Sequence, residues 1–164
     1  MQINPFWDYS LITYARKGVE RQLLALQQGS DADVNMLLCC CWLGEQGVLI
    51  STNQLRQLAS ACEQWRQHCL LPLRSVRVYL KNVESQREEM RNRLKALELE
   101  AECHQQQMMY QQLLAMGVVS ESRETRSLVS SVDIVANLQA YWSVLGHAAA
   151  ESQLLVELAA AVIE

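Results

Sequence analysis

The chain has 164 residues, half of them hydrophobic and a fifth charged, with a formal net charge of -4. That length suits a single domain with a real core, and the negative balance argues against wholesale nucleic-acid binding. No apolar run nears the roughly 18 residues a membrane span needs, the opening MQINPFWDYS lacks the pattern of a secretory signal, and the cysteines are not spaced as a disulfide framework.

There is almost no strand signal, and most of the two prolines and six glycines stand where helices should start or stop. Asn4-Pro5 is a helix cap followed by proline at the first helical position. Phe6, Trp7, Leu11, Tyr14 and Ala15 then recur at helical spacing until Arg16-Lys17-Gly18. A second helix spans 19–28, and Ser30, Asp31 and Asp33 offer caps for a third over about 33–46. Ser51 with Gln54 forms a capping box for a fourth, which Pro72 should kink or restart. No breaker occurs between Leu73 and Met116. The spacing therefore predicts one helix over 73–116, which would exceed roughly 50 Å if straight. Along it Val83, Met90, Leu94, Leu97, Ala101, His104 and Met108 repeat every 3.5 residues or so, a packing seam within a bundle or between chains. Residues 117–131 read as a serine-rich loop, followed by two C-terminal helices over 132–164. The expected fold is all-α, one domain of about seven helices: a compact N-terminal cluster around 34–43, one long helix and a C-terminal hairpin.

Cys39, Cys40 and Cys41 stand in a helix that is apolar all round. Successive side chains turn by about 100°, so the three thiols cannot converge on one metal. They read as space-filling core. The pairs His68-Cys69 and Cys103-His104 lie on different helices, and nothing in the sequence brings them together around zinc.

The stretches NPFWDYSLITYARKGVERQLLALQ and DVNMLLCCCWLG resemble a group of uncharacterised proteobacterial proteins of similar length, a domain of unknown function. WRQHCLLPLRSVRVYLK and ELEAE at 98–102 match it more weakly, so the resemblance spans about residues 4–102. In such relatives the cysteine triplet is closer to Phe-Cys-Leu, in keeping with a core role. The resemblance implies no activity, cofactor or partner.

None of the motifs GxSxG, GxGxxG, HExxH or the P-loop is present, and no residue is marked as catalytic. The expectation leans away from an enzyme, with no metal and no cofactor. Charge is the most informative feature. Residues 54–95 hold nine Lys or Arg against four Glu, whereas residues 96–164 hold two Arg against nine acids. Arg56, Arg66, Arg74, Arg77 and Lys81 would fall within about an 80° arc of one continuous helix. Such a stripe can bind an acidic protein surface or another anionic macromolecule. It can equally be a solvated face, or pair with the chain's own acidic region.

Two functional readings follow. The first is a non-enzymatic cytoplasmic adaptor or regulator that binds a protein or anionic macromolecular partner through Arg56, Arg66, Arg74, Arg77 and Lys81. Homodimerisation through the long helix is a further expectation, and nucleic acid is the weaker partner. The second is a small-molecule-binding protein or enzyme with a polar pocket formed by Trp7, Asp8, Asp33, Asn35 and Arg74.

Overall fold

In the computed structural model the described residues are 4–83, 88–120, 131–148 and 152–164. Among them the chain is all-α: α1 (Pro5–Tyr14), α2 (Val19–Ser30), α3 (Val34–Glu45), α4 (Thr52–Trp65), a π-helical turn (Arg66–Leu70), α5 (Leu71–Val83), α6 (Glu88–Ala115), α7 (Ser131–Val144) and α8 (Ser152–Ile163). With α4, the π turn and α5 running on as one rod, this makes seven helical stretches. No helix among the described residues is long and apolar enough to cross a membrane.

The capping chemistry sets the starts. Asn4 accepts the Trp7 N–H, Asp33 accepts the Asn35 N–H, and Ser51 and Gln54 bond reciprocally as a capping box. α3 is the central helix, with every residue from Asn35 to Gly44 buried, and Cys39, Cys40 and Cys41 are completely enclosed. Phe6 of α1 stacks on its Trp42 at 5.2 Å.

α7 is the helix that packs most extensively on α3. The close approach depends on Gly44, where a Cβ would lie 2.5 Å from the Ile134 Cα. Ile134, Leu138, Tyr141 and Trp142 of α7 and Leu155, Leu158, Ala159 and Val162 of α8 join the same core as the N-terminal helices. The two C-terminal helices pack on each other, as expected, and also complete the core. Most of the expected 117–131 loop, residues 121–130, lies outside the described residues.

Two expectations about the middle of the chain are sharpened by the structure. Of the two outcomes expected at Pro72, a kink or a restart, the restart does not occur. Its missing N–H and its ring cannot fit an ordinary α turn without loss. The extra residue of the π turn precedes it, with the Leu71 N–H bonded to the Arg66 carbonyl five residues back, and the rod continues. The single helix over 73–116 is in fact two, with α5 folded back on α6. Arg74 Nε lies 2.9 Å from Glu98 Oε1, whereas 24 residues of straight helix would separate their backbones by about 36 Å. The absence of proline and glycine between Leu73 and Met116 hid this reversal. Residues 84–87, between the two helices, lie outside the described residues.

Candidate functional site

The α5–α6 hairpin has two edges of opposite character. On α5, Arg74 and Arg77 stand three residues apart, and on α6 Glu98 and Glu102 stand four apart, so each pair shares a helix face. The faces meet. Glu98 accepts Arg74 Nε at 2.9 Å, Arg77 Nη2 at 3.2 Å and Arg77 Nε in a still shorter contact, while Arg74 Nη2 reaches Glu102 at 3.0 Å. Only 8 % of the Glu98 side chain is exposed. Burial alone would raise its pKa, but the bonds from Arg77 and Arg74 override it and hold the carboxyl below the usual value. Glu102 goes the other way: burial raises it, and Arg74 offsets only part.

The opposite edge carries apolar side chains. Leu80 is buried, and Val76 lies four residues before it on the side of α5 away from the arginines. On α6, Met90, Leu94, Leu97 and Ala101 follow one another at spacings of four, three and four residues, the expected seam. α4 covers its later part: the Trp65 indole donates to the Ala101 carbonyl at 2.9 Å and its ring lies 4.3 Å from His104. The earlier part stays open, with Met90 52 % and Leu97 49 % exposed, and on α5 Val76 is 43 % and Tyr79 62 % exposed.

A second polar centre joins α3, α6 and α7. Asp33 Oδ2 accepts Gln105 Nε2 at 2.6 Å, Asn35 Nδ2 donates to Gln105 Oε1, and Gln106 Nε2 donates to Asn35 Oδ1. The Asp33 backbone N–H donates to the Tyr141 hydroxyl, whose pKa burial pushes up. Arg66, the first residue of the π turn, reaches Asp31 at 3.2 Å and Asp33 at 3.6 Å. Asp33, Arg66, Gln105 and Tyr141 line a cleft of about 260 Å³, slightly below the usual span of small-molecule pockets.

The structure distributes the sequence-derived residues as follows. Of the basic stripe, Arg66, Arg74 and Arg77 form ion pairs within the chain, Arg56 bonds Asn53 at 3.2 Å, and Lys81 is exposed. Of the five pocket residues, Asp33 and Asn35 come together, and Asp33 lines the cleft. Trp7 and Asp8 lie on α1, half-buried and exposed, and Arg74 belongs to the hairpin latch. Among the described residues no three His, Cys, Asp or Glu side chains gather as a metal site. Sequence reasoning missed Glu98, Glu102, Gln105, Gln106 and Tyr141. The i, i+4 glutamates were a signal, since they match the i, i+3 arginines of the preceding basic segment.

No curated protein and no solved structure matches the chain. The family model described as "Protein of unknown function (DUF2390)" matches residues 5–109, well over half of the sequence, and the chain belongs to that family.

Proposed function

We propose that this chain is a non-enzymatic cytoplasmic binding protein that engages a protein partner through the open edge of the α5–α6 hairpin. The exposure of Val76, Tyr79, Met90 and Leu97 carries this reading. Among the described residues α5 makes its substantial contacts with α6 and the π turn, so the hairpin stands at the periphery of the bundle, and several exposed apolar side chains on such an element favour a partner. Six free cysteines support a reducing compartment. The arginines fasten the hairpin, which favours the apolar edge over the basic stripe as the docking surface.

Affinity capture from lysate tests it. A Val76→Glu/Leu97→Glu variant should lose a protein that the wild type retains. An Arg56→Glu/Lys81→Glu variant should keep it, with nuclease making no difference. Loss from the charge variant alone would return the contact to the basic stripe, and nuclease sensitivity would make the partner a nucleic acid.

The cleft favours a second reading, a small polar ligand held by Arg66, Gln105 and Tyr141. A thermal-shift screen with and without Arg66→Met tests that reading. A ligand that stabilises wild type and variant equally would refute it.

A further inference from the structure

We infer that the open edge of the hairpin is covered by a second copy of this chain, through antiparallel pairing of the first half of α6 with itself. The inference rests on the reading of that edge as a docking surface and commits it to one occupant. Met90, Leu94, Leu97 and Ala101 occupy d, a, d and a positions of a heptad pattern. Numbered this way, Arg93 and Glu100 are successive g positions, and both are exposed.

In an antiparallel pair the g positions of the two helices flank one side of the seam. An axis that sets Leu94 against Leu97 of the second copy also brings Arg93 toward Glu100 of the second copy. The two-fold axis repeats the contact, so one helix supplies both halves of a self-complementary charge pattern. Met90 then lies at the end of the contact, because Ala101 of the second copy is already buried beneath α4. Arg93 is free to take this role. Its present partner, Glu89, sits one turn away at 2.8 Å, with both side chains more than three-quarters exposed, a kind of pair that contributes little. The other edge could not self-pair in this way, because its charges are already matched between α5 and α6.

Size-exclusion chromatography with light scattering over a concentration series reads the result. The wild type should approach twice the 18.7 kDa chain mass. Arg93→Glu alone and Glu100→Arg alone should each weaken the dimer at least tenfold, and the double variant should recover most of the wild-type affinity. Circular dichroism confirms that each variant is folded. A wild type that stays monomeric at every concentration overturns the inference, as does a dimer indifferent to both charge reversals. Lysate capture with Leu97→Glu then separates the two levels. A monomer that loses another protein on this substitution leaves the docking edge standing with a different occupant. A monomer that loses nothing removes both.

Discussion

Replacing Glu98 by alanine should loosen the hairpin. Three N–H groups of Arg74 and Arg77 converge on this carboxylate, and its side chain is 8 % exposed. A charged hydrogen bond contributes about 1.5–3 kcal/mol net, and removing one partner of a buried pair costs about 3–5 kcal/mol. Here the arginines are about a quarter exposed and Glu102 still holds Arg74. The lower end applies, about 3 kcal/mol. For a chain of this size that corresponds to about 6–12 °C in Tm if unfolding is cooperative. Urea unfolding measures the total, and amide exchange should show lost protection over Leu71–Val83 before α3 is affected. The exposed Arg93–Glu89 pair is the control, and Arg93→Ala should change stability by no more than about 0.5 kcal/mol. The pH dependence gives a second check. The Glu98 carboxyl is held below its ordinary 4.5, so its contribution is fully present above that value and fades as pH falls through the lower folded one. Glu102, raised by burial, works in the opposite sense: its contribution is present at low pH and is lost as pH rises through its raised value. The gap between wild type and Glu98→Gln should therefore shrink below about pH 4.5. A Glu98→Ala variant as stable as the wild type, with α5 protection intact, would refute the latch.

Three other substitutions or measurements probe the core. Asn137 accepts the Ile50 N–H and donates to the Val48 and Cys40 carbonyls. Asn137→Leu should cost about 3 kcal/mol by leaving these groups unpaired, read by urea unfolding. Gly44→Ala gains about 1 kcal/mol of helix propensity, but it drives a methyl into the Ile134 backbone. The net should be a lower Tm, because overpacking costs about 1–3 kcal/mol and the obstacle is main chain. Thiol titration should find one fast-reacting group in the native protein and six after unfolding. Cys69 is the one cysteine that is not buried, and burial raises Cys62 to about 12 and the α3 thiols well above their ordinary value. Rapid native reaction of three or more thiols would refute the closed core.

The helix starts were legible because capping is local: Asn4, Asp33 and Ser51 act within three residues of themselves. The triple cysteine was legible for a similar reason, since helix geometry alone keeps three consecutive side chains apart. Features that depend on distant partners were not. Glu98 and Glu102 read as part of a diffuse acidic region until α5 turns back on α6. Asn137 stands in an apolar stretch with no sign that the 48–50 segment will present its backbone there. Nothing local to Gly44 marks its task, which only the crossing of α7 creates. Of the candidate pocket residues Asp33 alone lines the cleft; Trp7 and Asp8 stay on α1, half-buried and exposed, and Arg74 is held in the hairpin latch by Glu98 and Glu102.

The segregation of charge along the chain has two physical outcomes, and burial decides between them. A basic segment followed by an acidic one can project a field at a partner, or the two can neutralise each other when the chain reverses. Here reversal uses Arg74 and Arg77 against Glu98 and Glu102, and Arg66 is drawn to Asp31 and Asp33. Among the described residues the exposed hairpin charges that remain are mixed in sign: Lys81, Arg93 and Lys95 against Glu88, Glu89 and Glu100. A polyanion requires a continuous array of cations to displace its counterions. An apolar strip bordered by alternating charges instead matches a helical protein surface, where the charges select register and orientation and the apolar side chains supply most of the affinity. The same arithmetic that drew attention to the basic stripe therefore favours, once the chain is folded, the docking proposed at the opposite edge of the same hairpin.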